Sequence, residues 1–192
     1  MMDTGPVRTI ARLFGTVGTR CYPGQPVSRA AHMLQAAALA EAGRASPALI
    51  AAALLHDAGH FTEVITGRDL MPGADNRHGD VGADWLGQWF GPEVTEPIRL
   101  HVEAKRYLCA VEPGYIDTLS AAAMQTLSIQ GGPMNPREAA VFEAEPAASA
   151  ALRLRRWDDA AKDPARIIPP FAHFQPVLRR LVRPRGVADA TR

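Results

Sequence analysis

Residues 49–55 are an unbroken apolar run that stops abruptly at a polar pair. Ser46-Pro47 ahead of it reads as an N-cap and a first-turn proline, and His56-Asp57 follows directly. The pattern predicts a helix buried all round that delivers two polar side chains to the core. Other segments repeat with the period of a helix that has one wet face. Residues 6–18 carry Val7, Ile10, Ala11, Leu13 and Phe14. Residues 27–42 form the next helix, with Ser28 as its cap and Gly43 as its stop. From His78 the pattern runs through Val81, Ala83, Trp85, Leu86, Trp89 and Phe90 to Gly91. Pro92 starts another helix through Val94, Ile98, His101 and Val102, and Pro97 limits how regular its first turns are. Ser120 caps 121–129, which Gln130-Gly131-Gly132-Pro133 ends. Asn135-Pro136-Arg137-Glu138 has the form of a capping box. Residues 147–162 read as a charged solvent face with ion pairs at helical spacing, while Leu152, Leu154 and Trp157 turn one side inward. Residues 171–182 close the series with an amphipathic helix. Turn residues mark 21–26 and 62–77 as loops.

Composition sharpens this to an all-α reading, because alanine is abundant and β-branched residues are sparse. A chain of 192 residues favours one domain, here 1–182, with 183–192 as a flexible tail. Its formal charge of +1 makes no electrostatic case for nucleic acid. No apolar stretch is long enough to span a bilayer, and residues 1–9 lack a signal core. The expected location is the cytoplasm, with no membrane partner. Cys21 and Cys109 supply neither a disulfide framework nor a Cys-x-x-Cys metal motif.

The candidate chemistry lies in His32, His56, Asp57, His78, His101 and Asp158, spaced by 24, 1, 21, 23 and 57 residues. Taken singly, His32 is a core histidine bonded to a neighbour and His78 a solvated loop edge. Taken together, each falls on a different helix or helix end, apart from the adjacent pair. That is how a helical bundle converges side chains on a metal. Four imidazoles and two carboxylates exceed the needs of one small cation. They suit two ions about 3.5–4 Å apart, with Asp57 as the bridge. Imidazole with carboxylate fits iron, manganese, cobalt or zinc. His60 lies four residues after His56, on the same face if the helix lasts that far, and Gly59 is placed to end it.

This set resembles the HD-domain superfamily, an all-α bundle named for its His…His-Asp…Asp signature, here His32, His56-Asp57 and Asp158. The added His78 and His101 resemble its two-metal members, and the likeness covers 22–162. Further runs resemble one branch, the PhnZ-type mixed-valence di-iron phosphonate oxygenases. They are Tyr22-Pro23-Gly24, His56-Asp57-Ala58-Gly59-His60, His101-Val102-Glu103-Ala104-Lys105-Arg106-Tyr107-Leu108, Leu127-Ser128-Ile129-Gln130-Gly131-Gly132-Pro133-Met134 and Arg155-Arg156-Trp157-Asp158. The resemblance implies an HD helical bundle with a buried dinuclear site holding two iron ions, Fe(II)/Fe(III), with O2 as co-substrate. The implied reaction cleaves the C–P bond of a small 1-hydroxyphosphonate to phosphate and a carboxylic acid. By the same resemblance, His32, His56, Asp57 and Asp158 hold one iron and Asp57, His78 and His101 the other. Tyr22, His60 and Lys105 are the implied catalytic residues. Gln25, His60, Lys105, Ser128 and Gln130 are the implied substrate contacts, with Lys105 as a point charge for the phosphonate.

Two positions depart from the branch. Members that use a primary amine carry a glutamate where this chain has Gln25, and a neutral amide cannot neutralise an ammonium. Ala123 stands where a second hydroxyl is expected beside the phosphonate. The expected substrate therefore extends to quaternary-ammonium and amine-free hydroxyphosphonates. The rival reading is a metal-dependent phosphohydrolase, the commoner chemistry of the superfamily. The oligomeric state stays open, and His173 reads as structural or solvated.

Overall fold

The structure, a computed structural model, describes residues 5–19, 27–61 and 77–184. These residues form α-helices and short 3-10 turns, with no strand among them. In chain order the helices are α1 (Pro6–Gly15), α2 (Arg29–Ala42), α3 (Pro47–Leu55), α4 (His78–Leu86), α5 (Pro92–Val111), α6 (Ala121–Ile129), α7 (Pro136–Glu143), α8 (Ala148–Ala160) and α9 (Phe171–Leu181).

Local side-chain chemistry sets many of the boundaries. The Ser28, Ser46 and Ser120 hydroxyls accept from the backbone amides of Ala31, Leu49 and Ala123, so each expected serine cap forms. Asn135 and Glu138 complete the reciprocal capping box of α7. Gly131 and Gly132 both adopt positive φ after α6, a conformation that favours glycine. Several helices are shorter than the hydrophobic pattern suggests: α1 stops at Gly15, α2 begins at Arg29 and α4 ends at Leu86. The apolar residues beyond α4 pack from turns instead; Phe90 is buried there. Conversely, α5 runs unbroken through the buried Pro97, whose missing N–H falls near the helix start.

Helix α3 is the hub. All seven residues 49–55 are buried, as the unbroken run predicts, and α2, α5, α8 and α9 pack around it. Each fully buried Leu or Ile side chain contributes roughly 1.5–3 kcal/mol relative to exposure, and this hub contributes Leu49, Ile50, Leu54 and Leu55. The pairs α2–α8, α4–α5 and α5–α8 complete the arrangement. A smaller apolar cluster of Ala104, Met134, Phe142, Ala148 and Ala151 joins α5, α7 and α8. The polar side chains that interrupt the core are few, and most belong to one site at the C-terminal end of α3. A helix C-terminus carries partial negative charge and favours cations.

Candidate metal centre

Helix α3 ends at Leu55, so His56 occupies its C-cap and Asp57 the following turn. The chain then tightens into the 3-10 turn Ala58–Phe61. His60 therefore does not continue the helical face of His56; it lies in a separate turn beside it. His32 arrives from the first turn of α2, His78 from the first position of α4, His101 from α5 and Asp158 from α8. At the start of α4, Arg77 sits in the left-handed region at φ 46° and is clamped to Asp80 at 2.7 Å.

The six side chains converge. His32 Nε2 lies 3.1 Å from His56 Nε2, and His78 Nε2 lies 3.0 Å from His101 Nε2. Asp57 stands between the two pairs. Its Oδ1 is 3.6 Å from His56 Nε2, 3.6 Å from His78 Nε2 and 3.9 Å from His101 Nε2, while Oδ2 is 3.8 Å from His32 Nε2. Asp158 Oδ1 is 3.1 Å from His32 and 3.8 Å from His56. The donor atoms thus fall into two sets that share Asp57: His32, His56 and Asp57, and Asp57, His78 and His101.

Hydrogen bonds fix which ring nitrogens face inward. Nδ1 of His32, His56 and His101 meets the carbonyl oxygens of Ala161, Ala53 and Ile98 at 2.8, 2.9 and 2.6 Å. A carbonyl only accepts, so each Nδ1 carries a proton and each Nε2 turns inward. Nitrogen lone pairs gathered this close to one another and to carboxylates make a donor set that a cation between them would satisfy. Ligands about 2.1 Å from a common ion and at right angles to each other would lie about 3 Å apart, which matches both imidazole pairs.

Electrostatics point the same way. Burial works to raise the Asp57 carboxyl, but His56, His60, His78 and His32 outweigh it and hold the group well below the usual range. Burial also opposes ionisation of Asp158, and Arg155, His32 and His56 reverse that effect. Burial pushes His78 and His101 down to about 3, with neighbouring imidazoles adding to it. Both are therefore neutral lone-pair donors near neutral pH. His32 is raised, since its contacts with Asp158 and Asp57 overcome burial. The carboxylates favour positive charge at that nitrogen, and a divalent ion supplies more of it than a proton. The donor set fits a pair of metal ions.

Two further expected residues border the centre. The His60 ring stacks on His78 at 4.2 Å, with Nε2 4.0 Å from Asp57 Oδ1. Lys105 lies one turn beyond His101 and is only 3% exposed. It is not a solvated basic side chain. Its Nζ donates to Thr126 Oγ1 at 2.9 Å, and burial together with Arg155 lowers it to about 8. Thr126, one turn after Ala123 on α6, is the hydroxyl found beside Lys105. Ser128 is exposed, and Gln130, at the C-cap of α6, has a buried Oε1 with no hydrogen-bond partner among the described residues. Tyr22 and Gln25 lie outside the described residues. His173 is exposed and pairs with Glu41 at 2.9 Å.

The sequence reading missed Arg155. It is 5% exposed rather than part of a solvent face. Its Nη1 holds Asp158 Oδ2 at 2.8 Å, leaving Oδ1 for the imidazoles. Behind it, Asp159 accepts from the Arg155 guanidinium, and Tyr115 Oη donates to Asp159 at 2.5 Å.

A model of the HD domain matches residues 29–158. The chain belongs to the HD-domain family. Its matched span runs from the first residue of α2 to Asp158 and takes in all six side chains of the candidate centre. The HD chain is 40% identical over 176 residues to [1-hydroxy-2-(trimethylamino)ethyl]phosphonate dioxygenase (glycine-betaine-forming) of Leisingera caerulea, covering 92% of this chain and 90% of that one. It is 46% identical over 139 residues to hydroxymethylphosphonate dioxygenase of Gimesia maris, covering 72% and 69%. An uncharacterized protein of Acanthamoeba polyphaga mimivirus is 33% identical over 174 residues, covering 90% and 80%. No helix of the described residues is long and apolar enough to cross a membrane.

Proposed function

We propose that this HD-domain protein is a di-iron oxygenase that uses O2 to cleave the C–P bond of a 1-hydroxyphosphonate, releasing phosphate and a carboxylic acid. The observation that carries the reading is Asp57 set between two imidazole pairs, in a chain this similar to two phosphonate dioxygenases. The stoichiometry closes without another reductant. The hydroxyl-bearing carbon becomes a carboxylate, the C–P bond gives way to P–O, both atoms of O2 enter the products and one proton is released.

His32, His56, Asp57 and Asp158 would hold one iron, and Asp57, His78 and His101 the other. Bound there as a mixed-valence Fe(II)/Fe(III) pair, the metal supplies Lewis acidity toward the phosphonate and its hydroxyl, and redox chemistry toward O2. The chain supplies the rest. Lys105, protonated below about 8, offers a buried positive charge to the phosphonate. His60 stacks on His78 beside the second pair, where its ring N–H would donate to a substrate oxygen. By the resemblance, Tyr22 and Gln25 would also take part in substrate binding. With an amide at Gln25 in place of a carboxylate, the quaternary-ammonium or amine-free substrates are favoured over the primary amine. We assign the whole of 1–182 to one HD domain that acts on a small organophosphonate in the cytoplasm.

The test is phosphate release from iron-loaded protein on a panel of hydroxyphosphonates bearing trimethylammonium, primary amine or no amine. Release should require O2 and be slowest for the primary amine. Undiminished release without O2, or full activity with redox-inert ions, overturns the oxygenase in favour of a hydrolase.

A further inference from the structure

Three glycines lie where backbones meet behind the second imidazole pair. The turn Ala58–Phe61 lies directly against α4. At Gly59 a Cβ would stand 2.0 Å from the carbonyl oxygen of His78, 2.7 Å from its carbonyl carbon and 2.9 Å from its Cα. All three are backbone atoms of a proposed metal ligand, so no rotamer change relieves the overlap. At Gly82, one turn along α4, a Cβ would stand 2.9 Å from the Gly59 amide nitrogen. At Gly79 it would meet the carbonyl oxygens of Arg99 and Ile98 on α5 at 3.0 Å, and His101 Cε1 at 3.5 Å. None of the three has a positive φ, so backbone conformation does not demand glycine at these positions. Close approach of one backbone to another does.

We propose that Gly59, Gly79 and Gly82 are positioning residues: their bare backbones bring His78 to Asp57 and His101, and so determine that the centre takes a second metal ion. The inference rests on the two-ion reading of the site. Metal–ligand distances tolerate errors of about 0.2 Å, whereas a methyl group at Gly59 or Gly82 forces α4 and the turn apart by more than that. The first ion does not depend on this seam, because His32 comes from α2 and Asp158 from α8.

The experiment loads full-length protein with Mn(II) and reads ions per chain, helical circular dichroism and the electron paramagnetic resonance spectrum. Wild-type protein should bind two ions with the spectrum of an exchange-coupled pair. Gly59→Ala and Gly82→Ala should keep their helical signal, bind one ion and give the spectrum of an isolated ion. Gly79→Ala, with the milder contact, should weaken the second ion by about 10- to 100-fold against a chelator and leave the first unchanged. Gly87→Ala is the control, since its nearest neighbours would be 3.3 Å away; both ions should remain. Alanine is the better helix former. If the glycines served only the helix, Gly79→Ala and Gly82→Ala would be more heat-stable and hold two ions with wild-type affinity, and that result overturns the proposal. Loss of both ions from folded protein also overturns it. If Gly59→Ala does not fold, Gly79→Ala decides. A wild-type protein that binds a single Mn(II) defeats the two-ion reading itself, which keeps the two failures distinct.

Discussion

The two halves of the centre are built by different means. The half formed by His32, His56 and Asp158 is tied by hydrogen bonds: His32 to Ala161, His56 to Ala53 and Arg155 to Asp158. Alongside them the Gln35 amide bonds the Asp163 backbone in both directions, at 2.8 and 3.1 Å, pinning the end of α8 to α2. The half formed by His78 and His101 has the His101–Ile98 bond and the Arg99 pairs with Asp80 and Asp84 that tie α4 to α5, and it adds what the first half lacks, backbones in near contact at Gly59, Gly79 and Gly82. A hydrogen-bonded scaffold loses one increment of free energy per lost contact. A close-packed seam has no such gradation, because an added atom moves the whole element. The halves should therefore fail differently, with Asp57 as their common member.

The largest effect follows from removing that member. Asp57→Ala takes a carboxylate from both donor sets at once, so folded protein should retain neither ion in metal analysis. Phosphate release should fall by more than about a thousandfold. Retention of one ion at full affinity would show that the two sets do not share Asp57.

Arg155→Met comes next and tests the first half alone. The side chain is buried against Asp158 and Asp159, and losing one partner of a buried ion pair typically costs about 3 kcal/mol or more. Chemical denaturation of the metal-free protein should show that loss. Chelator competition should show the first ion loosened by about 10- to 100-fold, with the second unaffected.

These two residues also show how legible the molecule is from sequence. The convergence on Asp57 was legible because His-Asp at the end of an apolar helix has few stable uses, and because five other candidate ligands fall at helix ends or on apolar faces. The caps at Ser28, Ser46, Ser120 and Asn135 were legible because their bonds span only a few residues. Arg155 was not, because an arginine three and four residues before aspartates looks the same whether a helix faces water or core. Its burial depends on Tyr115, 40 residues away. Gly59 was read as a helix stop, but its constraint is the His78 carbonyl, a tertiary contact that no local pattern records. Thr126 was missed for the same reason, since only packing brings α6 over Lys105. The Thr126 hydroxyl lies one turn after Ala123, where it accepts from Lys105.

Lys105 belongs to neither half and should leave both intact. Lys105→Ala should raise KM for the phosphonate by about 10- to 100-fold, the range of a hydrogen bond to a charged group, while iron content stays at the wild-type level. Loss of iron would make Lys105 part of the metal scaffold instead. The pH dependence carries a definite sign. Burial lowers the ammonium to about 8, so positive charge is present below that value and lost above it. Affinity for the phosphonate should decline as pH rises through about 8, and Lys105→Arg should move the decline to higher pH.

The smallest effect tests how far the first half's hydrogen-bonded character extends. Tyr115 follows α5 and is buried, and the Arg156 guanidinium lies 5.1 Å from its ring centre. Its hydroxyl donates to Asp159 and accepts from Arg155 Nε at 3.2 Å. It stands behind the arginine that holds Asp158, the proposed ligand. Tyr115→Phe keeps the ring and deletes these two bonds, but Arg155 and Asp159 still pair directly. The expected change is about 1 kcal/mol in stability and a few-fold faster release of the first ion, since a group this remote acts only through Arg155. The second ion and KM should not move. Equal loosening of both ions by this one hydroxyl would mean that strain passes through Asp57, and that the two halves act as one unit.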